Sequence, residues 1–119
     1  MSTSVSWVFV SKVNAGKSDE LKKLMTDMVP ATKSNEPGAE IYEWFLNEDG
    51  SELHLYERYV DSAATMVHLG NFGANYMPRF LECCTPARLH VYGEPSDDVK
   101  GVLNGFGAVY CPSFGGFAR

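Results

Sequence analysis

Two titratable side chains in this sequence have the chemistry to move a proton at a buried site. His68 carries an imidazole, the side chain whose ordinary pKa lies closest to neutrality, which suits a general base for a phenol or quinol. Glu57 alternates with Leu53, Leu55 and Tyr59, so its carboxylate shares a strand face with largely apolar side chains. A carboxylate in such a row is either an acid or base with a shifted pKa or one half of an ion pair. The alternative for His68 is a histidine near a helix C-terminus that interacts with the helix dipole and has no catalytic role. We predict His68 and Glu57 as the catalytic candidates.

A second set of side chains could hold a flat aromatic ligand by stacking and hydrogen bonding. His54, Tyr56 and Arg58 alternate along one predicted strand, on the face opposite Glu57. Tyr42, Trp44 and Tyr92 come from predicted strands that could lie beside it. The alternative is that these side chains fill a core or a subunit interface, and the sequence leaves open which sheet face lines a pocket. The predicted substrate-binding candidates are Tyr42, Trp44, His54, Tyr56, Arg58 and Tyr92.

The cysteines match no disulfide framework and no zinc motif. Cys83 and Cys84 are adjacent and Cys111 is remote, and a bond between adjacent cysteines would close a strained eight-membered ring. We therefore expect reduced thiols, a cytoplasmic location and no bound metal.

Charge and hydropathy exclude several classes of partner. The chain has 119 residues with 10 Lys and Arg against 15 Asp and Glu, and this net charge of −5 disfavours nucleic acid. No apolar run is long enough to span a bilayer and no basic segment precedes the apolar run over residues 5–10, so we expect no membrane partner and no export signal.

Hydrophobic periodicity predicts the element order β-α-β-β-α-β. A strand is predicted over residues 5–13, a helix from Ser18 to near Asn35, and strands over residues 41–46 and 53–60, which are joined by an Asp49-Gly50 hairpin turn. Helices over residues 62–69 and 72–84, with a break at Gly70, precede a fourth strand over residues 87–92.

This order is typical of a ferredoxin-like α+β fold, in which both helices cover one face of a four-stranded antiparallel sheet. Large apolar residues occur on both faces of the first three strands, and so large an open apolar face is rare on a monomer. We expect a second copy of the chain to cover it, giving a homodimeric α+β barrel.

Residues 1–95 are predicted to form this ferredoxin-like domain, and residues 96–119 a C-terminal helix and docked arm of the same domain. Ser96 is a candidate helix cap, and Phe106, Tyr110, Phe114 and Phe117 lie among glycines further on. The arm is too apolar for a disordered tail, so we expect it to dock.

Two segments of the sequence form a recognisable pattern: Glu36-Pro37-Gly38 leading into Ile41-Tyr42, and Tyr56-Glu57-Arg58-Tyr59 followed by Asp61, Ala64 and His68. With this pattern, residues 5–93 resemble the antibiotic biosynthesis monooxygenase-like family of dimeric α+β barrels, although Tyr59 stands where that family usually has Trp. The resemblance implies a homodimer that binds an aromatic small molecule. It also implies oxygenation of a quinol or aromatic polyphenol by O2 without flavin, metal or other cofactor. The alternative is a non-catalytic ligand-binding or structural dimeric barrel.

Overall fold

The computed structural model describes residues 2–119 and confirms the predicted element order up to the fourth strand. The elements are β1 (Val5–Val13), α1 (Ser18–Asn35), β2 (Ala39–Leu46), β3 (Glu52–Tyr59), α2 (Ser62–Asn75), α3 (Met77–Cys83), β4 (Cys84–Gly93), α4 (Asp97–Leu103), a 3-10 turn (Asn104–Phe106) and β5 (Ala108–Cys111).

The sheet has the strand order β2-β3-β1-β4-β5, which makes the fold ferredoxin-like and α+β as predicted. The first four strands pair antiparallel, and β5 pairs parallel with β4 from Leu89 opposite Ala108 to Tyr92 opposite Cys111. The prediction of four strands is therefore wrong by one. Gly107 adopts a left-handed φ of 71°, which redirects the chain after the 3-10 turn and lets the short segment behind it reach the edge of β4.

The second helical region breaks at a different residue from the predicted Gly70. Helix α2 continues through Gly70 to Asn75, and the break falls at Tyr76. Gly70 lies on the exposed side of α2, where glycine costs only about 1 kcal/mol relative to alanine. Pro78 stands in the first turn of α3, where its missing N–H is tolerated, so the proline rather than the glycine marks the new helix.

Strand pairing places one set of side chains beneath the helices and leaves the other set uncovered. Glu57 lies opposite both Trp7 and Tyr42, and residues opposite one another in antiparallel strands project to the same face. Buried residues of α1 and α3, among them Leu24 and Phe80, belong to the same core cluster as Trp7. The chemistry-bearing face of the sheet is therefore the face that the helices cover.

The other face carries apolar side chains with no covering element in the described part of the chain. Phe45, Tyr56 and Tyr92 are exposed on it, and Val8 is half-buried between them on β1. Within residues 2–119, no helix combines the length and the apolar character that crossing a bilayer requires.

The C-terminal arm divides into a packed part and an exposed part. Phe106 and Tyr110 pack against the core, and the Tyr110 hydroxyl donates a 2.6 Å hydrogen bond to Oδ1 of Asn104. Phe114 and Phe117 are fully or largely exposed, with relative accessibilities of 107% and 83%. Within the protomer, the first half of the arm therefore packs on the core, and the second half makes no such packing.

Candidate functional site

A small cavity lies between the covered face of the sheet and the helices. About 40 Å³ of it is open to the centres of water molecules. Its polar lining residues are Glu57, His68 and Tyr42, and the rest of the wall is apolar apart from the indole N–H of Trp7. The apolar part consists of Trp7, Phe9, Met28, Leu55, Leu69, Phe72, Phe80, Leu89, Leu103 and Phe106.

Glu57 is buried and held by donors on both of its carboxylate oxygens. The indole N–H of Trp7 donates to Oε2 at 2.8 Å, and the Tyr59 hydroxyl donates to Oε1 at 2.6 Å. Nε2 of His68 lies 3.2 Å from the same Oε1. Each carboxylate oxygen has two lone pairs, so Oε2 retains capacity for one further donor such as a ligand hydroxyl.

Glu36 completes a buried row of three ionisable side chains. Its Oε1 lies 2.9 Å from Nδ1 of His68, and its Oε2 accepts a hydrogen bond of 3.1 Å from the side-chain amide of Asn71. His68 therefore lies between two carboxylates, with Glu36 on one side and Glu57 on the other. We call Glu36, His68 and Glu57 the carboxylate-imidazole row.

The Glu-Pro-Gly turn brings Glu36 to His68 because Gly38 packs directly on α2. A Cβ atom on Gly38 would lie 2.5 Å from the Cβ of Ala64, so only glycine allows this approach. Ala64 and His68 are four residues apart and share one face of α2. Asp61 caps that helix by accepting a 2.8 Å hydrogen bond from the Ala64 N–H, as predicted, and so fixes where α2 begins.

The two carboxylates keep a proton on His68. Burial alone lowers the pKa of the imidazole. The hydrogen bonds to Glu36 and Glu57 and the negative charges of both outweigh burial and raise the pKa to about 9. Both ring nitrogens face a carboxylate and both must donate, so the ring is an imidazolium at neutral pH. This differs from the expectation of a neutral imidazole that accepts a proton.

The surrounding groups respond to the same charges. Burial raises the pKa of Glu36, but its hydrogen bonds and the charge of His68 lower it more, so the net shift is downward. Burial, followed by the charge of Glu57, raises the pKa of both Tyr42 and Tyr59, so these phenols remain protonated. The row thus carries two negative charges and one positive charge among neutral donors.

The predicted substrate-binding residues divide between the two faces of the sheet. Tyr42 lines the cavity, with its ring centroid 5.2 Å from that of His68. Trp44 shares the covered face but lines a separate groove against Leu21 and Met25 of α1.

The other four predicted residues project from the uncovered face of the sheet. Nε2 of His54 lies 3.0 Å from Glu52, and Nε of Arg58 donates to Glu40 at 3.2 Å. Tyr56 and Tyr92 are exposed. These four and Tyr42 cannot surround one ligand within a protomer, because β3 and β1 separate them.

Several residues of the site were not among the sequence candidates. Glu36 enters the sequence prediction only as part of the Glu-Pro-Gly turn, because its contact with His68 joins residues 32 positions apart and no local pattern indicates it. Trp7 is an apolar strand residue by pattern, and its N–H donor role depends on the register with β3. Among residues 2–119, no group of three or more His, Cys, Asp or Glu is arranged to hold a metal ion.

Comparison with protein families gives one match that covers most of the chain. The model of the family described as antibiotic biosynthesis monooxygenase matches residues 4–82, which include all three members of the carboxylate-imidazole row. No curated protein matches the sequence at a significant level.

Solved structures of similar fold extend over different lengths of the chain. MupZ of Pseudomonas fluorescens has a TM-score of 0.87 and 21% sequence identity, covering 100% of this chain and 91% of its own. Rv0793 of Mycobacterium tuberculosis has a TM-score of 0.66 and 26% identity, covering 79% of this chain and 97% of its own. A protein of Caulobacter crescentus CB15, provisionally described as an antibiotic biosynthesis monooxygenase, has a TM-score of 0.67 and 20% identity over 76% of this chain and 88% of its own.

Proposed function

Because this chain belongs to the antibiotic biosynthesis monooxygenase family, we propose that it is a cofactor-independent monooxygenase that oxidises a quinol or related aromatic polyphenol with O2. The observation that supports this proposal is the carboxylate-imidazole row, which ends at an otherwise apolar cavity. Oxygen reacts with an electron-rich aromatic anion, so the protein must remove a proton from the substrate and stabilise the charge that results.

In this proposal Glu57 accepts the proton and His68 supplies the positive charge. The substrate hydroxyl binds Oε2 of Glu57, the carboxylate oxygen that has a free lone pair. A phenolic hydroxyl ordinarily ionises near pH 10, well above a carboxylic acid, so the transfer needs help. The imidazolium of His68 stabilises negative charge both on Glu57 before the transfer and on the substrate anion after it, so the anion stays beside a positive charge as the proton moves.

The oxygen step then balances without another reactant. The quinolate gives one electron to O2, and the two radicals combine to form a peroxide anion at a ring carbon. Glu57 returns its proton to this anion, which gives the hydroperoxide and restores the carboxylate. Loss of water from that carbon leaves a new carbonyl, so quinol and O2 give a hydroxyquinone and one water. The substrate supplies all four electrons, and the apolar wall keeps bulk water away from the intermediates.

The cavity must expand to accept a substrate of this class. Its volume of about 40 Å³ lies far below the roughly 300 to 1,000 Å³ of typical ligand pockets. An aromatic ring therefore enters only when side chains of the wall move aside. This requirement favours compact quinols over extended polycyclic ones.

We further propose that the working form is a cytoplasmic homodimer. Phe45, Tyr56 and Tyr92 leave apolar surface exposed on the uncovered sheet face, and a second copy would bury it by two-fold pairing. The half-buried candidates His54 and Arg58, which project from the same face, then belong to the subunit interface rather than to the substrate. All three cysteines are free thiols, which suits a reducing compartment.

One observation favours a binding protein without catalysis as the second candidate. Both ring nitrogens of His68 are already paired with carboxylates, so the row could equally serve as a structural network of paired side chains. In that case the cavity binds an apolar aromatic molecule and no proton is transferred.

Oxygen uptake with a panel of reduced quinones separates the two candidates. The protein is assayed with a metal chelator present and flavin absent, against the autoxidation rate of each quinol alone. The proposal predicts protein-dependent uptake with at least one compact quinol. Tight binding of quinols without any uptake above autoxidation would support the binding protein and contradict the monooxygenase.

A further inference from the structure

Part of the cavity wall comes from outside the segment that matches the family model. That match ends at residue 82, whereas Leu103 and Phe106 line the cavity from the end of α4 and the 3-10 turn behind it. Leu103 is buried, with 2% of its surface accessible, and Phe106 is half-buried. The C-terminal segment is therefore part of the site as well as an extension of the fold.

We propose that Leu103 and Phe106 determine the size of the aromatic ligand that the cavity admits, with Phe106 as the principal determinant. The inference rests on the proposed function only for the location of the ligand beside Glu57. It concerns which ring systems bind, and it holds whether or not the bound ring is oxidised.

Phe106 is one of four half-buried residues of the cavity wall, and among these four it is the one carried by a 3-10 turn rather than by a helix or strand. Its ring packs edge-on against Phe9 at 5.7 Å and Phe72 at 6.5 Å between centroids. The half-buried lining residues Leu69 and Phe72 belong to the 14-residue helix α2, whereas Phe106 is carried by a three-residue 3-10 turn. A short 3-10 turn has poorer hydrogen-bond geometry than an α-helix, so Phe106 is the ring that yields most readily.

The glycines on either side of Phe106 leave it room to move. An added Cβ at Gly105 or Gly107 would meet no atom within 4 Å, so no neighbouring group packs on the backbone of the turn at these two positions. Gly107 also adopts a φ of 71°, which side chains other than glycine rarely allow. The ring is thus packed against other rings, while the space at the Cβ positions of the two neighbouring glycines is open.

The segment around the turn is fastened at both ends, which confines movement to Phe106. The Ser96 N–H donates to Oγ of Ser62 at 2.9 Å, which ties the start of α4 to α2. At the other end, β5 pairs with β4, and the Tyr110 hydroxyl bonds Asn104. The segment cannot detach without breaking these bonds. The size of ligand that the cavity admits therefore depends on how far the phenyl ring of Phe106 can move.

Equilibrium binding of three phenols of increasing width tests the inference without requiring turnover. Phenol, 1-naphthol and 9-phenanthrol are titrated calorimetrically against the unaltered protein and the variants Phe106→Ala and Phe106→Leu. Phe114→Ala is the matched control, since Phe114 lies in the same segment but is fully exposed and away from the cavity. The measured quantity is the ratio of Kd for each larger ring to Kd for phenol.

We expect Phe106→Ala to lower the 1-naphthol to phenol ratio about tenfold or more, the scale on which apolar pockets discriminate by size. Phe106→Leu should lower it less, and Phe114→Ala should leave it unchanged. If Phe106→Ala does not fold, a lowered ratio in Phe106→Leu supports the inference and an unchanged one overturns it. Equal ratios in all folded forms, or no binding of any phenol to any form, would also overturn it. Failure of oxygen uptake alone would refute the proposed oxygenation and leave this result standing.

Discussion

Glu57 is the side chain on which the proposed proton transfer depends. Glu57→Gln keeps the size of the side chain but removes its charge and its capacity to take a proton from the substrate. We expect quinol-dependent oxygen uptake to fall by about a hundredfold, the usual scale for loss of a positioned proton acceptor. Glu52→Gln is the matched control, because Glu52 lies on the same strand and contacts His54 at the surface, away from the cavity. A rate that falls equally in both variants, or in neither, would remove Glu57 from this role.

His68 gives the stability of the protein a pH dependence whose sign can be stated. The pKa of the imidazole rises from an ordinary 6.5 to about 9 on folding, so the folded state binds the proton more tightly than the unfolded state. This stabilisation is fully present below pH 6.5 and is lost as the pH rises through 9. We expect the free energy of unfolding to drop by roughly 3 kcal/mol across that interval. Urea unfolding at pH 6.5 and pH 9.5 measures it.

Two further readings identify His68 as the origin of the effect. His54→Gln should leave the drop intact, because that half-exposed ring contacts a single carboxylate at the surface. Turnover should also decline above pH 9, when the cation beside the substrate anion is lost. Stability that is flat between pH 6.5 and 9.5 would show that the row does not hold the proton.

Among the elements, those marked by local chemistry could be predicted from the sequence. The Asp49-Gly50 turn, the Asp61 cap and the Ser96 cap all act through neighbouring backbone groups, and each lies where it was expected. The predicted break at Gly70 is wrong because an exposed glycine is a weaker signal for a helix boundary than Pro78, which stands in the first turn of α3. Strand β5 was missed because its pairing partner β4 lies 19 residues earlier along the chain, counting from Leu89 to Ala108.

The two halves of the C-terminal arm should contribute differently to stability. Removing residues 112–119 deletes Phe114 and Phe117, which are exposed, so the free energy of unfolding of the protomer should change by no more than about 0.5 kcal/mol. Removing residues 105–119 also deletes Phe106, Tyr110 and β5. This loss of buried apolar surface should lower the free energy of unfolding by several kcal/mol. Urea unfolding of the two truncated forms compares them. Equal losses would mean that the exposed half packs somewhere in solution.

At the scale of the whole molecule, the open sheet face accounts for the proposed assembly. Sedimentation should give about 26 kDa, twice the 13.2 kDa of one chain. Val8→Asp places a charge in the middle of that face and should shift the protein toward the monomer, whereas Val67→Asp on the exposed side of α2 should not. Melting curves for both variants establish that they are folded. A protein that sediments as a monomer at micromolar concentration would contradict the assembly.

The sequence could predict the fold of the whole molecule but not the face on which its site lies. Strands β1 and β2 carry large apolar residues on both faces, so alternation alone cannot say which face the helices cover. The row also depends on contacts between residues as distant as Glu36 and His68, which only the packing of Gly38 on Ala64 brings together. The C-terminal wall likewise depends on tertiary packing, because Leu103 and Phe106 reach the cavity only in the folded chain.

Mass spectrometry of the product formed under ¹⁸O2 tests the proposed oxygenation most directly. A compact quinol that supports oxygen uptake is incubated with the unaltered protein and with Glu57→Gln. The proposed chemistry predicts a hydroxyquinone that carries one ¹⁸O atom, with the second atom recovered as water, formed about a hundredfold more slowly by the variant. An unlabelled quinone accompanied by an equal amount of hydrogen peroxide would show simple oxidation without oxygen insertion, and would contradict the assignment of this cavity as a monooxygenase site.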